Sequence, residues 1–251
     1  MRAKNLICSL VCLVLPPSRV KVAVLRLLGW NIEGTCRIGF SWINCGRVDI
    51  LRGARIGHFN FIACRSLQLK AEAYIQNGNV IKGPIIISLR ERAAIGNFNK
   101  IKRAAPGIVW GRAIFRLGVY SKITSNHVID CTRSVKFGDY STLAGLSSQL
   151  WTHGYVHAAE GLDRFRVDGA ITIGSNVYIG SACVINAAVR IADGVTVGAA
   201  TCVAKSLLKR GLYVGQGLRW IESDYDTAKA RYSELRIKGL IEAVHLKRPE
   251  Q

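Results

Sequence analysis

Two of the chain's five histidines, His153 and His157, stand in one polar stretch, Trp151-Thr152-His153-Gly154-Tyr155-Val156-His157. An imidazole with an ordinary pKa near ~6.5 is mostly neutral at pH 7, so a positioned histidine can take the proton of a hydroxyl and make it a competent nucleophile. The same side chain is a common metal ligand, and spacing has to separate the two uses. The cysteines, Cys8, Cys12, Cys36, Cys45, Cys64, Cys131, Cys183 and Cys202, form no C-x-x-C pair and none of the spacings of a zinc site or disulfide framework. No metal is expected, and free thiols fit a reducing compartment. Of the other histidines, His58 follows Ile56-Gly57 at a turn and is expected in solvent. His127 adjoins Asn126 and can reach a nearby site, and His245 is near the carboxyl terminus.

A base needs a rigid frame, and the frame is legible as a repeat. Aliphatic residues fall at every sixth position at Ile173, Ile179, Ile185, Ile191, Val197 and Val203, and a second compact set follows at Val177, Cys183, Val189, Val195 and Thr201. Neither a helix nor a two-sided strand has that period. Each hexad reads as a short flat strand plus a turn. Three hexads close a triangular coil, and stacked coils pair as parallel strands at about 4.8 Å per coil. The rhythm also runs earlier, at Ile38, Ile50, Ile56 and Ile62 with Asn44 polar in that phase, then at Leu69, Ile75, Ile81 and Ile87. It resumes at Ile95 and Ile101, again from Leu117 to Val135, and at Phe137 and Leu143. Each change of phase marks a loop pushed out from the prism. The largest are around 103–116 and 149–170, and His153 and His157 lie in the second.

Composition narrows the partners. A chain of 251 residues with 49% hydrophobic residues, 25 glycines and 5 prolines buries a sizeable core and is neither collagen-like nor disordered. Its 35 Lys and Arg against 16 Asp and Glu leave a net charge of +19, so a favoured partner is anionic. Nucleic acid is not expected, because the basic residues are spread along the chain and no helix-turn-helix, zinc-ligand or RNA-binding aromatic pattern is present.

The ends lack the period. Leu6 to Leu15 is apolar but shorter than the ~20 residues a spanning helix needs. Residues 19–30 are expected to form an amphipathic helix with Val20, Val24, Leu27 and Leu28 on one face. With Arg2, Lys4, Arg19, Lys21 and Arg26, residues 1–30 suit an anionic membrane surface; the competing expectation is a plug for the first coil. Glu222 to Lys247 is expected to be a helix capping the other end. The division read from sequence is thus a 1–30 segment, a 31–210 solenoid and a 211–251 tail with helix.

Over about residues 120–220 the chain resembles the hexapeptide-repeat acyltransferases, as in ITIGSNVYIGSACVINAAVRIADGVTVGAATCVAKSL preceded by THGYVHAAEGLDRFRVDGA. The similarity is to galactoside and maltose acetyltransferases, and more loosely to colanic acid and capsule polysaccharide O-acetyltransferases. It implies a left-handed parallel β-helix, a homotrimer and acetyl-CoA as donor. It further implies that His153 is the general base, with His157 matching a second histidine of several members. Ser181 matches a position close to the thioester, and Ala199, Ala204 and Lys205 match the path of the pantetheine and phosphates. The expected reaction is transfer of acetyl to a hydroxyl of a surface glycan or its lipid-linked precursor, on the cytoplasmic side and peripheral to the inner face of the membrane. The group orienting His153 stays open among Asn126, Asp130, Glu160 and Asp163. Two other readings share the scaffold: a non-catalytic β-helix, and a metalloenzyme like the γ-class carbonic anhydrases, whose paired histidines are five residues apart where His153 and His157 are four.

Overall fold

The computed structural model describes residues 2–157, 161–162 and 164–215 and, further on, the strands Tyr232–Leu235 and Val244–Lys247. The chain divides into two units, Met1–Gly215 and Gln216–Gln251. In the first, parallel strands wind into a β-solenoid. One face is a nine-stranded sheet running from Arg37–Ile38 to Leu212–Tyr213. A 13-stranded sheet supplies the other two faces, which three long strands, Trp42–Ile50, Phe61–Leu69 and Val80–Leu89, join at a corner. The last of these shows how: Val80 to Lys82 pair with Lys100 to Lys102, whereas Ile85 to Leu89 pair with Ala113 to Leu117. One strand therefore bends through the corner and serves a second and a third face.

The six-residue rhythm is the shaft. Ile173, Ile179, Ile185, Ile191, Val197 and Val203 are at most 3% exposed. On the second face Ile43, Ile62, Ile81, Ile101, Ile129, Leu150, Ile185 and Val203 stack in register, one per coil. Burying each such side chain is worth about 1.5–3 kcal/mol, and the column makes that gain continuous. Asn44, which the six-step places inside, lies one residue off this column. Ile43 fills the shaft instead, since strand alternation sends its neighbour outward and the nine-residue strand absorbs the odd residue at its corner.

A second internal column is polar. Asn60 Oδ1 accepts the N–H of Asn79 at 2.9 Å, Asn79 Oδ1 that of Asn99 at 2.8 Å, Asn99 Oδ1 that of His127 at 3.0 Å, and His127 Nδ1 that of Ser148 at 3.2 Å. Buried polar groups are costly unless bonded, and here each rung satisfies a backbone donor of the next coil. His127 is thus a rung of the scaffold.

Two helices precede the coils, α1 (Arg2–Val14) and α2 (Arg19–Leu27), the second capped by the Ser18 hydroxyl, which accepts the Lys21 N–H. The expected amphipathic helix exists, but it packs by a different face. Lys21, Val22 and Leu25 are buried, whereas Val20 and Leu27 are exposed. The reason is Lys21 itself. Its Nζ donates to the carbonyls of Cys12 at 2.7 Å, Ile38 at 3.1 Å and Gly39 at 2.9 Å, tying both helices to the first coil. Lys21 is therefore unavailable to a membrane surface. Cys8 and Cys12 join the core, while Leu6, Leu10 and Leu13 face outward.

The expected carboxyl-terminal helix is corrected in part. Tyr232–Leu235 and Val244–Lys247, within the stretch read as helical, pair as antiparallel strands. Both segments mix apolar and charged residues closely enough to suit a two-sided strand, and the rest of that stretch lies outside the described residues.

Candidate active site

His153 opens the strand His153–His157, which pairs antiparallel with Arg164–Asp168 to form a hairpin between two coils. The hairpin springs from a corner of the solenoid. Trp151 donates its N–H to Ile185 O of the next coil, and Thr152 donates its own to Asp130 Oδ2 of the previous one at 3.1 Å. His153 thus follows residues held on both sides, by a backbone bond to the next coil and a side-chain bond to the previous one.

Asp130 orients it. His153 Nδ1 lies 2.9 Å from Asp130 Oδ2, Thr152 Oγ1 donates to the same oxygen at 2.5 Å, and Thr132 Oγ1 donates to Oδ1 at 3.0 Å. Burial alone would push the Asp130 carboxyl up. The hydrogen bonds from Thr152 and His153, the attraction of His153 and the bond from Thr132 together outweigh it and hold the carboxyl below its ordinary value. The carboxylate thus stays ionised at neutral pH and takes the Nδ1 proton in a hydrogen bond. That assigns the lone pair to Nε2, the nitrogen that can accept a proton. Among the candidate orienting groups, Asn126 lies on a different corner, and Glu160 and Asp163 lie outside the described residues.

Two loops wall the site. Arg166 Nη1 donates to Ile108 O at 2.6 Å and Trp110 Nε1 to Asp168 Oδ2 at 3.2 Å, so the hairpin is tied to the loop at 103–112. Arg133 lies 3.8 Å above the Trp110 ring. The two segments that break the repeat are in contact beside His153, a relation the sequence did not disclose. Tyr155 meets the His153 ring edge-on at 6.1 Å.

The other residues singled out from sequence fall in two groups. Asn186 N–H bonds Val203 O, and Trp151 N–H bonds Ile185 O, so Ala204 and Lys205 continue the corner of Asp130, Trp151 and Asn186. Ser181 is on the corner at the opposite edge of the second face, where Ala200 N–H bonds Ser181 O and Ala199 lies beside it. Within one chain, therefore, His153 and Ser181 are separated by the width of a face. His157 is exposed at the far end of the hairpin strand, about 13 Å along an extended backbone from His153.

The remaining histidines have structural settings. His58 is half-buried and its Nδ1 accepts the Phe40 N–H at 3.2 Å. His127 is fully buried, and burial pushes it down to about 4, opposed by backbone hydrogen bonds around Leu143 and Ser148. The side chain of His245 lies outside the described residues. No group of three or more His, Cys, Asp or Glu side chains among the described residues is arranged to hold a metal ion.

Solved structures that the chain is similar to include acetyl- and acyltransferases. One is a hexapeptide-repeat acetyltransferase of Vibrio cholerae O1 biovar eltor complexed with acetyl coenzyme A, at 16% identity over 85% of this chain and 81% of that one, TM-score 0.35. Another is NeuO, a polySia-specific acetyltransferase, at 18% identity over 68% of this chain and 90% of that one, TM-score 0.38. A third is a mutant of AntD, an N-acyltransferase of Bacillus cereus in complex with dTDP-4-amino-4,6-dideoxyglucose and coenzyme A, at 16% identity over 81% of this chain and 89% of that one, TM-score 0.40. No family model matches the chain, and no curated protein matches it.

Proposed function

We propose that the chain is an acetyl-CoA-dependent O-acetyltransferase acting on a sugar hydroxyl of a surface glycan or its lipid-linked precursor. The observation that carries this reading is the Asp130–His153 pair, a carboxylate and an imidazole 2.9 Å apart on a rigid corner. His153 Nε2 takes the proton of the acceptor hydroxyl as its oxygen attacks the thioester carbonyl. The tetrahedral oxyanion then collapses, the carbon–sulfur bond breaks, and the imidazolium returns the proton to the departing thiolate. No acyl-enzyme is needed. Asp130 holds the ring and favours its charged form during the transfer.

Donor binding falls to Ser181, Ala199, Ala204 and Lys205. The small exposed side chains of Ala199 and Ala204 leave backbone open to a pantetheine arm, and the Ser181 hydroxyl or its neighbouring N–H groups suit the oxyanion. His157 serves the acceptor side of the hairpin. Because His153 and Ser181 sit at opposite edges of one face, a complete site needs the His153 edge of one copy against the Ser181 edge of the next. A homotrimer of about 82 kDa, three copies of a 27.5 kDa chain, closes three such sites. No helix among the described residues is long and apolar enough to cross a membrane. The proposed location is cytoplasmic, peripheral on the inner face of the membrane, where α1 turns apolar side chains outward.

The test is purified protein with acetyl-CoA and a panel of glycans, read by mass spectrometry for gain of one acetyl group. Wild type should modify at least one acceptor, and His153→Ala should slow transfer by roughly 10² to 10⁴ while acetyl-CoA still binds. Thioester turnover at the wild-type rate in that variant would overturn the role of His153.

A further inference from the structure

From the pairing of the second face we infer that the acceptor is an anionic glycan, bound along a column of lysines that leads to His153. This deepens the acetyltransferase reading and rests on it. Strand register places Asn44, Ala63, Lys82, Lys102 and Asp130 in one outward column, each directly opposite the next. Lys100, two residues from Lys102 on the same strand, stands opposite Val80 in the adjacent outward column. Three exposed ammonium groups thus crowd onto two neighbouring coils about 4.8 Å apart.

Like charges directly opposite on adjacent strands destabilise a sheet, and Lys82 and Lys102 stand so. None of the four ion pairs among the described residues includes Lys82, Lys100 or Lys102. Asp130, opposite Lys102, gives its oxygens to Thr132, Thr152 and His153 instead. A lysine cluster that none of these ion pairs engages, beside a carboxylate already bonded to Thr132, Thr152 and His153, is complementary to an anion that arrives from outside.

Its position selects the acceptor over the donor. The lysines lie on the amino-terminal side of Asp130, while Ala204 and Lys205 lie on the carboxyl-terminal side of the same column, beyond Trp151 and Asn186. Trp151 is exposed and follows Asp130 in that column, so a sugar ring brought to His153 meets an indole on one side and ammonium groups on the other. A chain carrying carboxylates on successive sugars matches this ladder, and a neutral glycan does not.

The experiment compares fluorescent oligogalacturonate, dextran and an RNA homopolymer in equilibrium binding and, for the glycans, in acetyl transfer. Oligogalacturonate should bind, weaken as salt is raised, and lose at least about tenfold in affinity in the exposed triple variant Lys82→Gln/Lys100→Gln/Lys102→Gln. In transfer assays that variant should raise KM for the anionic acceptor and leave KM for acetyl-CoA unchanged. Equal binding of dextran, equal binding of RNA, or an unaffected triple variant overturns the inference. Efficient acetylation of neutral glycans alone overturns it too and leaves the acetyltransferase reading intact. Lysine-dependent uronate binding with no transfer to any acceptor overturns the acetyltransferase reading and leaves the lysine column as a polyanion site.

Discussion

His153 Nδ1 bonds to Oδ2 of Asp130, a residue one coil below that directly follows the buried Ile129 on its strand. The pair links a hairpin that breaks the repeat to a strand that keeps it, so the imidazole inherits the rigidity of the solenoid. Replacing Asp130 by Asn keeps the shape, removes the anion and offers Nδ1 a donor in place of an acceptor. Turnover should fall by roughly 10²-fold or more with acetyl-CoA affinity retained. The combined Asp130→Asn/His153→Ala protein should be no slower than His153→Ala alone, since the two act as a unit. Additive losses in that cycle would show that Asp130 does not work through His153.

The scaffold was legible because its signal is chemical and periodic. Residues such as Ile173 and Ile185 must be apolar to fill the shaft, and each coil repeats the demand. The orienting carboxylate was legible only as one of several, because Ile129 and Leu150 are 21 residues apart, a spacing that six does not divide, and only the strand pairing sets the residues that follow them, Asp130 and Trp151, side by side. The loop contact between Trp110 and Asp168 was not legible, because no period relates segments excluded from the prism. The face on which α2 packs was not legible, for a physical reason. Apolarity groups Val20, Val24, Leu27 and Leu28 on one face, but three converging carbonyls draw Lys21 inward together with Val22 and Leu25.

His127 should make stability depend on pH. Its folded value, about 4, is below its ordinary 6.5, so the folded state binds fewer protons than the unfolded one. The contribution is fully present above 6.5 and is lost as pH falls toward and through 4. Between pH 7.5 and 4.5 the loss is about 2 to 3 kcal/mol. His127→Asn, which repeats the rung found at Asn60, Asn79 and Asn99, should remove this component from urea melts at the two pH values. An unchanged pH dependence in that variant rules His127 out as its source.

Lys21 should be worth more as a tie than as a charge. Burial pushes its ammonium down, yet all three of its protons are taken by carbonyls. Lys21→Ala leaves the Cys12, Ile38 and Gly39 carbonyls without that donor and should cost about 2–4 kcal/mol in denaturant unfolding. The Lys82→Gln variant, at an exposed position on the coils, should shift stability by no more than about 0.5 kcal/mol in either direction under the same conditions. Equal effects of the two would show that the buried contacts are not holding the helices.

The outer face of α1 offers a test of membrane association that spares the cap. Leu6, Leu10 and Leu13 are 45–48% exposed, while Cys8 and Cys12 on the same helix are buried against the first coil, so α1 can pack inward and insert outward at once. Apolar side chains on one helical face, with Lys4 and Arg19 nearby, suit an anionic leaflet, where each basic group adds up to ~1 kcal/mol. Deleting 1–30 would remove the Lys21 tie and confound binding with unfolding. The triple variant Leu6→Gln/Leu10→Gln/Leu13→Gln leaves the buried face alone. Wild type should co-sediment with vesicles containing phosphatidylglycerol at low salt, and the triple variant should stay in the supernatant with its melting transition and its activity on soluble acceptors preserved. Should wild type stay in the supernatant as well, residues 1–30 act as a cap and nothing more.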